Sequence, residues 1–455
     1  MSTKCLPDET KLFLPPTWGI LGTIVMNSES VAAHQWKRAR TVPHLRWYIC
    51  GLLFFGVVIN YIDRQAFSIM APDLQRIIGW SELDYGRIVI AFQVAYAVMM
   101  LFAGRILDRI GTRLGLGLAL VWWSVAEMCH ALARTPLQFG VARFFLGIGE
   151  AASYPASVKT VGEWFPARER ALATGIFNGA ATIGAIGAPI LVPLFAAAYG
   201  WEGAFVGTGA LGLVWLAAWW GFYHKPQDHP RLSEAELLLI RQGQTVPATE
   251  KVSWIGLLGR RQLWAHAAPR ILTEWVYWFF LYWLPKFLAQ RYGIRGTAMI
   301  PYLTTIYVLT GFGSVAGGYI SSTLIRRGWS VNWARKAAMG ISAIVMPFVI
   351  FASKTHSPWT AAILIGVALA AHQGWFTNIS TLVLDMFPAR AVGSVYGIGG
   401  CLAGIGSVLA AEKTGEILQR DPNFYFPMFV VSGCIYLAAL IIVHLLVPKL
   451  EPAKM

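Results

Sequence analysis

Twelve stretches of about 20 mostly apolar residues recur along this chain, each long enough as a helix to cross a bilayer core of roughly 30 Å. They fall near 47–70, 84–104, 114–134, 137–158, 171–195, 202–223, 266–290, 300–322, 336–354, 358–384, 393–415 and 425–448. Hydrocarbon leaves no backbone polar group a water partner, so such segments must be helical. Hydrophobic residues make up 56% of the chain and charged ones 13%, more apolar surface than a soluble chain of 455 residues needs. The expectation is an all-α polytopic membrane protein with the lipid bilayer as its surroundings. A formal charge of +14 would by itself suit a nucleic-acid partner. Most of the Lys and Arg, however, fall in loops on the side of the N-terminus, which is the positive-inside pattern. The basicity therefore encodes topology, with both ends cytoplasmic and no nucleic acid involved. Residues 1–45 carry no tripartite signal pattern and read as a cytoplasmic extension that starts at Met1 or Met26. Cys5, Cys50, Cys129, Cys401 and Cys434 are scattered without disulfide or metal-ligand spacing. No zinc motif, nucleophile elbow or P-loop occurs, so the sequence points to no enzyme, no ATP-driven pump, no metal and no cofactor.

The chain repeats itself. Glu163-Trp164-Phe165-Pro166-Ala167-Arg168 returns as Asp385-Met386-Phe387-Pro388-Ala389-Arg390. The register then holds without a gap, Gly175-Ile176 meeting Gly397-Ile398 and Ile183-Gly184 meeting Ile405-Gly406. Each copy follows the fourth helix of a six-helix set and opens the fifth. This predicts two pseudo-symmetric six-helix bundles, 46–223 and 266–448, with a cytoplasmic linker at 224–265 and a tail at 449–455. Parallel repeats of this kind place a substrate near the midplane between them. One chain supplies both halves, so a monomer is complete. In the linker, Ser233 and Glu236 have capping-box spacing ahead of Leu237 to Ile240, which predicts a short amphipathic helix.

Ionisable residues inside a bilayer are costly, and they usually line a path for substrate or protons. The first apolar segment runs into Asn60-Tyr61-Ile62-Asp63-Arg64 before turning apolar again. The plainer reading is a salt bridge near the membrane surface. Arg64 can instead bind a carboxylate with two hydrogen bonds, and Tyr61 and Tyr96 can add hydroxyls. Burial favours a neutral carboxyl and a nearby arginine a charged one, which makes Asp63 and Glu150 candidate proton carriers. Depth along the helices puts Arg143 level with Asp63, and Glu150 two turns, or about 10 Å, deeper. The expected arrangement is a ladder in which Arg143 pairs with Asp63, with Glu150 near the middle. In the second half, Trp275, Trp278, Phe279 and Tyr282 form one aromatic stripe, equally readable as sugar stacking or as packing. Tyr277 lies off that stripe. Glu274 sits deep enough to need a partner, His372 and Gln373 lie near the midplane, and Asn378 is a further polar candidate. Glu127 has no evident role.

Between helices two and three stands Gly104-Arg105-Ile106-Leu107-Asp108-Arg109-Ile110-Gly111-Thr112-Arg113. It closely resembles the G-x-x-x-D-[RK]-x-G-x-[RK] loop of the major facilitator superfamily. There Gly104, Asp108, Arg109, Gly111 and Arg113 would form a conformational latch; the plainer reading is a topogenic basic loop. Through NYIDR at 60–64, Arg143 to Glu150 in ARFFLGIGEAASYPA, and EWFPARERALATGIFN, the chain resembles the anion:cation symporters, hexuronate permeases among them. Ala268-Pro269-Arg270 with Glu274, and Ala371-His372-Gln373, point the same way. The resemblance implies a carboxylate anchor at Arg64, proton coupling at Asp63 and Glu150, and substrate contacts at Tyr61, Tyr96 and Asn178. Met100, Ala181 and Cys401 depart from the galactonate branch. The implied activity is proton-driven import of a sugar acid, a hexuronate such as glucuronate or galacturonate, across the inner (plasma) membrane. The alternatives are another carboxylate (an aldonate, aldarate or aromatic acid) or export by antiport, since Gly184 to Pro189 partly resembles a drug-antiporter motif.

Overall fold

The computed structural model describes residues 41–241 and 254–453, so most of the expected N-terminal extension, the middle of the linker and the last two residues lie outside it. Among the described residues there are helices and no strand. In chain order the long helices are α1 Leu45–Ile78, α2 Glu82–Ile110, α3 Thr112–Leu132 and α4, which is broken into Pro136–Glu150 and Ser153–Trp164. The run Ala167–Phe222 holds α5 (167–199) and α6 (201–222), which fold back at Gly200. Gly200 takes a φ of 77°, open to glycine at little cost. The second set is α7 Arg261–Tyr292, α8 Gly296–Arg326, α9 Val331–Ala352, α10 Pro358–Met386, α11 Ala389–Arg420 and α12 Phe426–Leu446. Each of the twelve expected segments overlaps one of these helices.

Among the described residues, nine helical runs are long and apolar enough to span a membrane, α5 and α6 counting as one run. The two spans outside that set are informative. α4 breaks after Glu150 because Pro155 has no N–H for the Ala151 carbonyl and its ring crowds that turn. α7 carries Arg270, Glu274 and Lys286 within its length.

The two sets are built alike. α1 packs along α5, α2 along α4 and α3 along α6; likewise α7 packs along α11, α8 along α10 and α9 along α12. The repeated corner is the same in both. Phe165 and Phe387 close α4 and α10 in extended geometry (φ −119° and −120°), followed by Pro166 and Pro388 (φ −62° and −65°). The acid before each corner reaches the third helix of its own set: Glu163 accepts from Thr112, and Asp385 pairs with Arg335 at 3.1 Å. The contacts are tight. A Cβ on Gly147 of α4 would lie 2.6 Å from the Phe92 carbonyl of α2, and one on Gly313 of α8 2.0 Å from that of Ala370 on α10.

The described chain ends and the linker meet at one end of the molecule, the terminal end. There the Val42 N–H donates to the Arg231 carbonyl, and the Ala453 N–H to that of Met386. The linker helix forms at Glu234–Arg241, and Ser233 caps the Glu236 N–H at 3.2 Å. The expected reciprocal half of that capping box is replaced. The Glu236 carboxylate accepts from the N–H groups of Leu45 and Arg46 (3.1 and 3.2 Å) and pairs with the Arg46 guanidinium at 2.7 Å. It thus caps α1, whose own His44 supplies no side-chain cap.

At the opposite, far end the two sets are sealed together. Glu82 of α2 pairs with Lys286 of α7, both almost fully buried, and Gln75 and Gln290 donate to the same carboxylate. Lys286 lies 4.4 Å from the Tyr85 ring centroid. Tyr85 donates to the Tyr282 carbonyl, Leu83 to Gln419 and Arg295 to the Pro72 carbonyl, while Tyr425 holds Gln290 in place within the second set. Among residues whose side chains are described, the hydrogen bonds joining the two sets all lie in this far half. Toward the terminal end Tyr154, near Tyr96 of one set and Tyr396 of the other, remains 48% exposed.

Candidate substrate and proton site

Arg64 and Glu150 form the centre of the first bundle. The Arg64 Nε donates to Glu150 Oε2 at 2.8 Å, and Nη2 lies 2.8 Å from the same oxygen while donating to Asn60 Oδ1 at 3.2 Å. Both residues are buried. The guanidinium carbon stands 4.8 Å from the centroids of Tyr61 and of Tyr96, 5.5 Å from Phe92 and 5.7 Å from Trp278 of α7. Cation–π contact holds the charge without consuming its donors. Because Arg64 approaches Glu150 only at Oε2, Glu150 Oε1 is left without a partner. Sequence depth alone would separate these residues, but side chains lean toward their helix N-terminus. α1 and α4 are antiparallel, so Arg64 leans toward the terminal end and Glu150 toward the far end, and they meet.

The expected ladder from Asp63 to Arg143 does not form. Arg143 donates to the Arg64 carbonyl (3.3 Å) and the Tyr282 hydroxyl (3.2 Å), and its guanidinium lies 4.4 Å from the Phe92 centroid. Asp63 is turned to the other side of α1, toward α3 and α6, fully buried with neither carboxyl oxygen hydrogen-bonded. Its polar neighbours are Trp123 and Thr208, and its acidic neighbours are Glu150 and Glu127. Adjacent helical residues point about 100° apart. Depth fixed the level of Asp63 but not its facing.

In the second bundle Glu274 finds its partner one turn back, accepting from Arg270 Nε and Nη2 at 3.1 and 2.9 Å. Two members of the aromatic stripe face the arginines of the first bundle. Trp278 stacks on Tyr282 and lies near Arg64, and Tyr282 bonds Arg143. Trp275 packs on Phe279 and lines a narrow gap with Gln93 and Ser407. Tyr277, off the stripe, stacks on His372 at 5.7 Å, and His372 Nδ1 is 2.5 Å from the Tyr436 hydroxyl. Gln373 is half-buried, with no side-chain partner among the described residues. Asn178 is exposed one turn from Thr182, which meets Gly311 of α8, so it sits at the cleft between bundles. Asn378 does not face the cleft. It is fully buried, and its amide ties the Gly317 carbonyl of α8 to α10, an interhelix role that one-sequence periodicity cannot tell from substrate contact.

The loop after α2 stays within its own bundle. Asp108 pairs with Lys159 of α4 at 2.7 Å, Arg113 donates to the Trp220 carbonyl, and Gly111 takes the positive φ (81°) of the turn. Arg109 is exposed and Gly104 meets no neighbour within 4 Å. Sequence reading missed Glu82, Lys286 and Arg270 as paired charges. Lys286 and Arg270 carried a signal, being bases within an apolar segment; Glu82, just outside one, carried none.

The sequence model of the Major Facilitator Superfamily matches residues 53–411. The chain is 32% identical over 426 residues to the hexuronate transporter of Escherichia coli (strain K12), covering 91% of this chain and 98% of that one. It is 36% identical over 313 residues to the galacturonate transporter of Dickeya chrysanthemi, covering 67% and 90%. Among solved structures, the D-xylose-proton symporter superposes with a TM-score of 0.72 at 16% identity, covering 90% of this chain and 99% of that one. Twelve helices in two like-built bundles, with the sequence match across most of both, establish that the chain belongs to the major facilitator superfamily.

Proposed function

We propose that the protein is a proton-coupled symporter that imports a sugar acid, a hexuronate such as glucuronate or galacturonate, by alternating access. Arg64 carries this reading: a buried guanidinium, caged by aromatic rings, whose charge is met by a single carboxylate that can take up a proton. The relatives named for hexuronate and galacturonate transport support the substrate class. The clustering of Lys and Arg in the loops of the terminal end supports placing that end in the cytoplasm and the protein in the inner membrane. The far-end seal then makes the arrangement described above the inward-facing one.

In this cycle a proton entering from outside neutralises Glu150 and breaks its bond to Arg64. The substrate carboxylate takes the vacated place on the guanidinium, with Tyr61, Tyr96, Asn178 and Gln373 offered to its hydroxyls and Trp278 to its ring face. Rocking opens the terminal end, Glu150 loses its proton to the cytoplasm, and the re-formed Arg64–Glu150 pair displaces the anion. Asp63 carries a second proton. Two protons with a monovalent anion move one net positive charge inward per cycle. The loop from Gly104 to Arg113 acts as the latch of the terminal end, and one chain performs the cycle as a monomer.

A second reading has a specific observation behind it. Arg270, paired with Glu274, offers a second guanidinium on the other bundle, which suits an acid with a carboxylate at each end, an aldarate. Proteoliposome uptake separates the readings. Labelled glucuronate should accumulate under an inward proton gradient in wild type, and not in Arg64→Ala or Asp63→Asn. Accumulation lost with exchange retained in Asp63→Asn would separate coupling from binding. Wild type that ignores glucuronate but accumulates glucarate would replace the hexuronate with the aldarate.

A further inference from the structure

Asp63 points away from the substrate cleft, into a polar pocket within the first bundle that the cycle above does not explain. Asp63 of α1 and Glu127 of α3 are both fully buried. Neither Asp63 oxygen has a hydrogen-bond partner; Glu127 Oε2 has none, and Oε1 meets only the Thr208 hydroxyl of α6, at 3.4 Å. The Trp123 indole N–H, also fully buried and unpartnered, is turned toward the Asp63 carboxyl.

The cations around this pocket can be counted element by element. α1 brings Arg64, already bonded to Glu150 on its other face. α4 brings Arg143 and Glu150. α6 brings Thr208, and α5 brings no charge at this level. α3 brings His130, whose Nδ1 lies 2.9 Å from the Ala126 carbonyl and 3.1 Å from that of Glu127. Those bonds assign the proton to Nδ1. Nδ1 also lies 3.7 Å from Glu127 Oε2, but its proton is committed to the two carbonyls; the ring stacks on Phe205 at 5.1 Å and its buried Nε2 has no acceptor, so the imidazole is neutral and no counter-ion. Three buried acids, Asp63, Glu127 and Glu150, thus share two buried arginines, Arg64 and Arg143. Two carboxylates cannot sit ionised side by side in a dry interior against one cation.

We propose that Glu127 is a third acid of the coupling machinery, holding one proton jointly with Asp63 between α1, α3 and α6. This rests on the proton-coupled reading above. One carboxyl holds the proton as an O–H while the other is ionised, and the Thr208 hydroxyl, 3.4 Å from Glu127 Oε1 and beside Asp63, stands between them. Glu127 thereby lets Asp63 ionise while the proton stays within the bundle.

The test is infrared spectroscopy of the full-length protein in liposomes, reading the carbonyl band of a protonated carboxyl across neutral pH. Wild type should show that band, and both Glu127→Gln and Asp63→Asn should lose it, since the two remaining acids are then matched by the two buried arginines. Thr208→Val, which removes only the hydroxyl facing Glu127, should keep the band at a shifted frequency. The pH midpoint of glucuronate exchange should move by about one unit or more in Glu127→Gln. A wild-type band that survives at full amplitude in Glu127→Gln, or no band in wild type, would overturn the proposal. The spectrum needs no substrate. A wild type that carries no sugar acid would sink the transport reading while the infrared result still decides this one.

Discussion

The two bundles share a backbone plan but not a charge balance. At the level of the cleft the second bundle is neutral within itself: Arg270 has Glu274 one turn away, and His372 has the Tyr436 hydroxyl. The first bundle holds more acids than bases, with Arg143 bonded to no carboxylate and Asp63 to no donor. A self-neutral bundle can recognise a substrate without changing its protonation. A bundle with an imbalance must bind or release protons when its pairs rearrange. In the proposed cycle, coupling and the carboxylate anchor therefore belong to the first bundle, and the second adds contacts to the rest of the substrate.

The seam between the bundles gives the largest test of that division, because Glu82 and Lys286 are the buried pair that belongs to neither alone. Lys286→Ala leaves a buried carboxylate uncompensated, a loss of about 3–5 kcal/mol to the sealed state. Replacing both residues by leucine should cost far less. Spin labels at the exposed Arg87 and Arg420 should report longer far-end distances in the single variant and near-wild-type distances in the double. Unchanged distances in the single variant would mean that the seal is held by its aromatic and backbone contacts.

Next comes the difference between the two arginines. Arg64→Ala removes the anchor and leaves Glu150 buried without its partner, so kcat/KM for glucuronate should fall by about 100-fold or more, roughly 3 kcal/mol. Arg270→Ala should cost about tenfold, mostly in KM, since a hexuronate presents one carboxylate. Equal losses for a monocarboxylate would erase the proposed division of labour and bring Arg270 into the primary site.

Much of this was legible in the sequence because hydrocarbon is an unforgiving solvent. It forces apolar runs into helices, and the repeated Phe-Pro corner set the two bundles in register. The site was half legible. Arg64 was marked by being ionic inside an apolar segment, but its bond to Glu150 depended on antiparallel side-chain lean, which no count of residues along one helix contains. Asp63 was placed at the right depth and given the wrong partner, because a one-residue step turns a side chain by about 100°. Glu127 stood without a role for the same reason: its neighbours come from α1 and α6, and only the packing brings them to it. Asn378 was legible as polar and buried, yet a packing amide and a binding amide look alike until the facing helix is known.

That last ambiguity supplies the smallest and sharpest contrast within the second bundle. Asn378→Leu should lower stability by about 1 kcal/mol through loss of the α8–α10 bonds and leave KM for glucuronate unchanged. Tyr277→Phe keeps the ring stacked on His372 and removes only a hydroxyl at the cleft, so stability should hold while KM rises about three- to tenfold. Thermal melting beside transport kinetics reads both. If Asn378→Leu raised KM with unchanged melting, the amide would have to leave Gly317 for the substrate during the cycle. The α8–α10 contact would then be a moving part of the second bundle rather than the fixed floor on which Tyr277 and His372 stand.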